Sequence, residues 1–335
     1  MTKWLILFLL PLCLSLALSR IVILYLGGRL LDTPNMRSSH EEPTPRGGGI
    51  AILISTLITT IIAVILGYLE ERIVFWLIIP ISLISLLGIC DDFFNLSVKL
   101  RLLTQISIAT FAVLFLIITE QSWKYPSAQD YIMILAMILF STWMTNLYNF
   151  MDGINGLAAL EAISVCMGMI FIYTFQDMHQ DSTYIMFIVM ACAFGFLFWN
   201  FPNAKLFMGD SGSLLLGLSF GLLVIEHSRE NYSLTAAWMI MLAVFIVDAS
   251  YTLFHRIISR QAFSQGHRSH AYQKCARIYK SHTSITLTIV AINSLWLFPL
   301  AVATSANILN PLIGLLIAYG PLIFIARKYN AGHPD

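Results

Sequence analysis

Two adjacent carboxylates, Asp91 and Asp92, follow directly on a long apolar run of this 335-residue chain. Placing one carboxylate at bilayer depth costs about 2.5–3.5 kcal/mol, and two adjacent ones repel each other unless a cation or a proton intervenes. Neighbouring residues of a helix diverge by about 100°, so the pair is poorly placed to hold one ion jointly. We therefore expect one of them to bind a metal and the other to act as a base. A solvated acidic helix end is the structural alternative.

A second polar stretch, from Asn146 to Gly156, separates two apolar runs. Asn149 and Asp152 follow Asn146 at steps of three residues, which places the three side chains on neighbouring parts of one helical face. Asn155 continues the series. Amides donate hydrogen bonds to phosphate groups or to the edge of a base, and the Asp152 carboxylate can bind a hard cation. A helix cap rich in asparagine and glycine is the alternative.

Asp210 lies in a third stretch, Phe207-Met-Gly-Asp-Ser-Gly-Ser213, directly before an apolar run. The glycines let the backbone approach a ligand closely, and an aspartate followed by serines indicates a helix start, whose free N–H groups favour anions. Mg²⁺ usually takes one or two carboxylates together with substrate phosphates, so Asp210 is a candidate metal ligand. The alternative is a helix N-cap alone.

Cationic side chains occupy two further stretches. Arg46 lies in Thr44-Pro-Arg-Gly-Gly-Gly49, where arginine and flexible glycines suit a phosphate or pyrophosphate, although a plain helix-entry loop explains them equally well. His267 and His270 flank Arg268 in a long basic loop. Membrane topology explains the basic character of such a loop, but it does not explain paired histidines. We therefore expect this loop to bind phosphate and His270 to take part in the chemistry.

Asp248 is a further carboxylate within an apolar run, about eight residues before the run ends. In a straight helix it would lie roughly 12 Å from that end. Two interpretations stay open: Asp248 supports the site, or it pairs with another buried polar group.

The polar stretches interrupt a strongly apolar chain, in which 58% of the residues are hydrophobic and 11% are charged. Soluble domains carry roughly 25% charged residues. A bilayer core needs about 20 apolar residues in helical form, and lipid offers backbone groups no partners outside the segment. The chain is therefore predicted to be an all-α, polytopic membrane helix bundle that forms one domain over 1–335.

About eleven membrane-spanning helices are predicted, at 4–26, 48–69, 73–90, 101–118, 131–147, 157–174, 184–200, 212–226, 235–255, 283–303 and 308–326. Lysine and arginine concentrate in every second connection, and such residues stay on the cytoplasmic side. The N-terminus is therefore predicted outside and the C-terminus in the cytoplasm.

All five polar stretches fall in the predicted cytoplasmic loops, at about 27–47, 91–100, 148–156, 201–211 and 256–282. This one-sided placement predicts a single composite site on the cytoplasmic face. Its carboxylates, amides and cations suit Mg²⁺-dependent chemistry on a phosphate-bearing substrate. A site at the membrane surface can also take a lipid substrate.

In this order the motifs resemble those of the polyprenyl-phosphate N-acetylhexosamine-1-phosphate transferases. These bacterial enzymes include the peptidoglycan phospho-MurNAc-pentapeptide transferase and the enzymes that start O-antigen synthesis. The resemblance runs from Asp32 to about Gln273. It rests on three motifs: Asp91-Asp92, Asn146-x-x-Asn149-x-x-Asp152-Gly, and Phe207-Met-Gly-Asp210-x-Gly-Ser.

The resemblance implies an enzyme that transfers a sugar 1-phosphate from a UDP-N-acetylhexosamine to undecaprenyl phosphate and releases UMP. It implies Mg²⁺ as cofactor, with Mn²⁺ as an alternative, and a multi-pass location in the bacterial cytoplasmic (inner) membrane. It leaves a homodimer open, and no nucleic-acid partner is expected. A lipid-linked sugar transporter is the rival class, but transporter sites lie near the midplane and often on repeated halves, and no repeat is visible here.

The resemblance also implies roles for individual residues. Asp210 and Asp152 would hold Mg²⁺ or position the diphosphate, and Asp91 and Asp92 would be the essential pair. The remaining candidates would bind substrate or take part in its chemistry: Asn149 and Arg101 at the diphosphate or lipid phosphate, Phe207 stacked on uracil, Asn155 near the uridine, Arg46, Asn146, His267 and Arg268 as further binding residues, and His270 as a catalytic one.

Two departures separate this chain from other branches of the family. Many relatives have an aspartate where this chain has Asn155, so Asn155 is not counted as a metal ligand. The peptidoglycan and N-acetylglucosamine branches have a denser histidine motif, and Tyr272 takes the place of one of those histidines. This form is similar to the branch that starts O-antigen on other UDP-N-acetylhexosamines, including dideoxy sugars such as N-acetylfucosamine. The peptidoglycan or N-acetylglucosamine branch is the alternative.

Overall fold

Helices make up nearly all of the structure, a computed structural model that describes residues 2–28, 31–32, 42–119, 127–178, 181–226, 228, 231–261 and 267–333. The predicted all-α class is confirmed. Among these residues one short antiparallel pair of strands occurs, β1 (Leu31–Asp32) and β2 (Thr44–Pro45). Most of the predicted loop 27–47 lies outside the described residues.

We number the helices in chain order. They are α1 (Leu5–Tyr25), α2 (Gly48–Ile65), α3 (Val74–Phe94), α4 (Val98–Thr119), α5 (Ala128–Phe150), α6 (Leu157–Phe175), α7 (Asp181–Asn200), α8 (Asp210–Glu226), α9 (Tyr232–Met241), α10 (Ala243–Ile258), α11 (Ala271–Tyr279), α12 (His282–Ser305) and α13 (Pro311–Lys328). Within the described part of the chain, nine of them are long and apolar enough to cross a membrane. The polytopic membrane fold is thereby confirmed, whereas the count of eleven and the orientation stay predictions.

The predicted span 235–255 is bent, because α9 and α10 meet at an angle of 73° around Leu242. Sharp kinks are usually caused by proline or glycine, and the sequence has neither between 232 and 258. The distance of Asp248 from the end of α10 is therefore not its depth in the bilayer.

Among the described residues, three helices contain a π-helical segment that ends two residues before a proline. A proline lacks an N–H group, and its ring collides with the carbonyl four residues earlier, so the regular hydrogen-bond ladder is interrupted there. The segments are Leu5–Leu9 before Pro11, Val74–Ile78 before Pro80 and Asn293–Leu297 before Pro299.

The core is centred on α8, in which every residue from 211 to 225 is buried. It packs most extensively against α5 and α3. Gly217 and Gly221 make this possible, since a Cβ on Gly217 would lie 2.6 Å from the carbonyl oxygen of Met144 in α5, and one on Gly221 would lie 3.1 Å from Cα of Ser141. Because α5 and α8 pack so closely, the end of α5 meets the start of α8.

Helix starts and ends also converge where α8 begins. A Cβ on Gly49, at the start of α2, would lie 2.0 Å from the backbone nitrogen of Gly212. A Cβ on Gly88, in α3, would lie 2.5 Å from that of Ser211. These close approaches bring α2, α3 and α8 together at one end of the bundle, where the polar stretches lie.

Several predicted loops are shorter or more ordered than expected. Asp91 and Asp92 lie in the last turn of α3, and Asp210 is the first residue of α8. The predicted loop 256–282 contains the nine-residue helix α11, which the sequence interpretation missed.

Candidate functional site

Asp210 and Asn149 join the start of α8 to the end of α5. Nδ2 of Asn149 donates to Oδ1 of Asp210 and to Oγ of Ser213, both at 2.9 Å. The amide therefore fixes the orientation of the Asp210 carboxylate through Oδ1 and leaves the other oxygen, Oδ2, available for a different partner.

Arg101, at the start of α4, bridges two of the carboxylates. Its Nη1 forms an ion pair with Oδ2 of Asp91 and lies 3.7 Å from Oδ2 of Asp210. The other oxygen of Asp91 accepts a hydrogen bond of 2.8 Å from the backbone N–H of Leu96. Both oxygens of Asp91 are thus engaged within the protein.

Asp92 faces a different neighbourhood from Asp91, as expected for adjacent helical residues. Its Oδ1 lies 3.9 Å from Nη1 of Arg46, and its Oδ2 lies 3.0 Å from the position of a Cβ on Gly209. Gly209 has φ +74°, a conformation that a side chain rarely adopts. Asp92 therefore lies directly against the backbone turn that precedes Asp210.

Arg46 is fixed in place by an ion pair of its side chain and by backbone hydrogen bonds of neighbouring residues. Its Nη2 pairs with Oδ2 of Asp32 at 2.6 Å. The backbone N–H of Phe207 donates to the carbonyl of Pro45, and that of Gly48 donates to the carbonyl of Phe207. The half-buried Phe207 side chain and Arg46 consequently lie at one rim of the carboxylate cluster, which consists of Asp91, Asp92 and Asp210.

Asp152 follows the end of α5 and is half-buried. Burial raises its pKa well above the usual range, and the negative charges of Asp210 and Asp92 raise it further, against the lowering effect of Arg46. Carboxylates from three stretches of sequence therefore act on one region, and a cation placed there would relieve their repulsion. Among the described residues no three His, Cys, Asp or Glu side chains form a metal cage by themselves.

Asn146 and Asn155 are placed away from the carboxylates. Nδ2 of Asn146 donates to Oε1 of Gln105 in α4 and to the carbonyl of Thr142 within α5, so both of its N–H groups are used away from the carboxylates. Nδ2 of Asn155 donates to the carbonyl of Pro202 at 3.0 Å. Of the four polar residues spaced by three, only Asn149 and Asp152 interact with the carboxylate cluster.

The histidine segment, residues 267–270, contacts the same region through α11. Oη of Tyr272 donates to the carbonyl of Phe150 at 2.9 Å, which attaches the first turn of α11 to the stretch before Asp152. His270 is 3% exposed, and its ring lies beneath the half-buried ring of His267, with 5.0 Å between centroids.

His267 carries no charge at neutral pH. Burial lowers its pKa to about 3, and the neighbouring His270 and Arg256 lower it further. A neutral imidazole can still donate one hydrogen bond. The backbone carbonyl of the half-buried Arg268 accepts from Arg277, so this part of the segment is tied to α11.

Sequence reasoning missed two residues that hold the site together, Asp32 and Asn200, and left the role of Asp248 open. Asp32 pairs with Arg46, and Asp248 contacts the start of α11. Asn200, at the end of α7, accepts from the backbone N–H of Gly156 and donates to the carbonyl of Leu206, both at 2.8 Å. An asparagine that closes an apolar run before proline was the available signal for this last bridge.

Comparison with known proteins gives a consistent set of relatives. The family model described as "Glycosyl transferase family 4" matches residues 74–228, which contain Asp91, Asp92, Asp152 and Asp210 but neither Arg46 nor the histidine segment. A probable undecaprenyl-phosphate N-acetylglucosaminyl 1-phosphate transferase of Bacillus subtilis (strain 168) is 30% identical over 295 residues, covering 83% of this chain and 78% of that protein.

Two further relatives carry related names. A decaprenyl-phosphate N-acetylglucosaminephosphotransferase of Mycolicibacterium smegmatis is 26% identical, over 82% of this chain and 74% of its own. A phospho-N-acetylmuramoyl-pentapeptide-transferase of Staphylococcus saprophyticus is 28% identical, over 70% of this chain and 78% of its own.

Proposed function

The chain belongs to glycosyl transferase family 4, and we propose that it transfers an N-acetylhexosamine 1-phosphate from a UDP-sugar to undecaprenyl phosphate, releasing UMP. One observation carries this proposal: Asp91, Asp92 and Asp210 lie with Arg46 and Arg101 at one end of an apolar helix bundle. A site of this kind can meet a phosphate carried by a membrane lipid and a nucleotide from solution.

The reaction is direct displacement at phosphorus. An oxygen of the lipid phosphate attacks the sugar-side (β) phosphorus, and a P–O bond forms as the bond from that phosphorus to the bridging oxygen breaks. The bridging oxygen leaves with UMP. A phosphate monoester has a second pKa of about 6 and is mostly dianionic at neutral pH, so the attacking oxygen needs little help from a base. The protein's main contribution is positioning and charge stabilisation.

The residues around the carboxylates divide this work. Arg101 and Arg46 supply guanidinium groups that can bind phosphate oxygens, and the carboxylates hold both arginines at the site before substrate arrives. Asn149 fixes Asp210. Phe207, at the rim, and Asn155, beside Pro202, are the candidates for the uridine end.

Mg²⁺ fits the donors present, because it takes one or two carboxylates and completes its shell with substrate phosphates. Asp210 and Asp152 would hold it. Burial raises the pKa of Asp152, the negative charges of Asp210 and Asp92 raise it further, and a cation would relieve the repulsion between these charges. When bound, the ion would neutralise charge on the leaving UMP. Mn²⁺ is a second ion with the same ligand preference.

The proposed pathway is the start of O-antigen or a related surface polysaccharide on the cytoplasmic side of the bacterial inner membrane. Asn155 and Tyr272 favour this branch of the family. N-acetylglucosamine transfer is the second candidate, because relatives from Bacillus subtilis and Mycolicibacterium smegmatis carry that activity in their names.

The test is an assay with purified protein, undecaprenyl phosphate, Mg²⁺ and a panel of UDP-N-acetylhexosamines. We expect UMP and a sugar-diphospho-lipid from at least one member of the panel, and only when the lipid phosphate is present. Absence of both products with every sugar would reject the proposal. A phosphorylated enzyme formed from UDP-sugar alone would instead indicate a two-step route through Asp91 or Asp92.

A further inference from the structure

Asp248 caps the N-terminus of α11 with both of its oxygens. Oδ1 accepts from the backbone N–H of Ala271 and Oδ2 from that of Tyr272, each at 2.9 Å. The first N–H groups of a helix have no partner within the helix, and a carboxylate is stabilised there by the helix dipole. The buried carboxylate of Asp248 thus accepts hydrogen bonds from two N–H groups that the helix α11 itself leaves without a partner.

The same carboxylate also faces the histidine segment. Nδ1 of His270 lies 3.4 Å from Oδ1 of Asp248, and among the described residues this buried nitrogen has no hydrogen-bond partner. The ring of His270 in turn lies under that of His267. Oγ of Ser269 is hydrogen-bonded to Nδ1 of His267 at 3.0 Å, and the ring of His270 links His267, the more exposed of the two histidines, to Asp248 through two successive contacts.

On its opposite side, the first turn of α11 lies against the stretch that carries Asn149 and Asp152. Tyr272 donates to the carbonyl of Phe150, and a Cβ on Gly153 would lie 2.2 Å from Oη of Tyr272. Asp248 and this stretch hold the first turn of α11 between them.

We propose that Asp248 is a positioning residue of the site: it holds the start of α11 against the Asp152 stretch and thereby places His267 for contact with a phosphate group of the substrate. The proposal rests on the proposed function. It assigns His270 to the support of His267, in place of the catalytic role expected from the sequence, because the His270 ring is almost completely buried.

Asp248→Asn is the informative variant. An asparagine keeps the size but has one acceptor oxygen, so one of the two N–H groups of α11 loses its partner. We expect Asp248→Asn to lower kcat/KM for UMP release roughly thirtyfold and His267→Ala to lower it about as much. The kcat/KM of the double variant should lie within about twofold of that of the single variants. Thr252→Val is the matched control. It removes only the hydroxyl that donates to Oδ1 of Asp248 at 3.2 Å, and we expect activity within about twofold of wild type.

Effects of Asp248→Asn and His267→Ala that multiply would overturn the proposal, because Asp248 would then act independently of the histidine segment. If Asp248→Asn does not fold, Tyr272→Phe releases α11 from the other side, and its effect should likewise not multiply with that of His267→Ala. A readout without turnover separates this proposal from the function. Diethyl pyrocarbonate should modify His267 faster in folded Asp248→Asn than in wild type, even if no UDP-sugar is turned over, and an unchanged rate would contradict the proposal.

Discussion

Asn149 donates from one amide nitrogen to both Asp210 and Ser213, and so joins the end of α5 to the first turn of α8. We expect Asn149→Ala to lower kcat for UMP release by about 10- to 100-fold, because Asp210 loses the donor that orients it. Ser213→Ala removes the second acceptor together with the hydroxyl's own bond of 3.2 Å to the carbonyl of Gly209, and should cost less than about threefold. Equal losses in the two variants would show that the link between the helices matters and the orientation of Asp210 does not.

Metal dependence should separate Asp152 from Asn155. Removal of divalent ions with EDTA should stop UMP release, and Mg²⁺ or Mn²⁺ should restore it. Asp152→Asn should abolish turnover at any Mg²⁺ concentration, since a carboxylate ligand is lost. Asn155→Asp should retain some activity, because Asn155 contacts the carbonyl of Pro202 and not the carboxylates. An active Asp152→Asn variant together with an inactive Asn155→Asp variant would contradict the assignment of Asp152 as the metal ligand.

Gly209 and Gly67 form a matched pair for testing the contact with Asp92. Both have a positive φ, +74° and +69°, so alanine at either position should reduce stability by about 1 kcal/mol. Only at Gly209 would the new Cβ meet a carboxylate oxygen, that of Asp92 at 3.0 Å, whereas nothing lies within 4 Å at Gly67.

We therefore expect Gly209→Ala to lower kcat/KM at least tenfold and Gly67→Ala to leave it unchanged, with similar falls in melting temperature. A Gly209→Ala enzyme as active as Gly67→Ala would show that the turn can move away from Asp92 without cost.

The confirmed predictions rest on features that a sequence displays directly. Long apolar runs require helices in lipid, and the resemblance carried by Asp91-Asp92, Asp152 and Asp210 is confirmed by the family match and by a 30% identical relative. The convergence of these residues followed from placing their stretches on one side of the membrane. Helix-end motifs are informative because each end is fixed by the apolar run beside it.

The missed features depend on tertiary packing. A spacing of three gives Asn146 and Asn149 neighbouring directions, yet Asn146 lies far enough around α5 to meet Gln105 of α4. The bend at Leu242 has no proline or glycine to indicate it. Helix α11 is short and lies in a basic loop, and its start is capped by Asp248, 23 residues away from Ala271 in sequence.

Glu161 and Asn293 form a buried polar pair between α6 and α12, away from the carboxylate cluster. Nδ2 of Asn293 donates to Oε2 of Glu161 at 2.6 Å, while Oε1 of Glu161 and Oδ1 of Asn293 are buried acceptors to which none of the described residues donates. A proton on the Glu161 carboxyl group, or the amide of a glutamine, supplies the missing donor. We therefore expect Glu161→Gln to melt within about 2 °C of wild type in detergent. Glu161→Ala leaves Asn293 without its partner and should lower stability by about 1–3 kcal/mol. A glutamine variant as unstable as the alanine variant would show that an ionised carboxylate is required at this position.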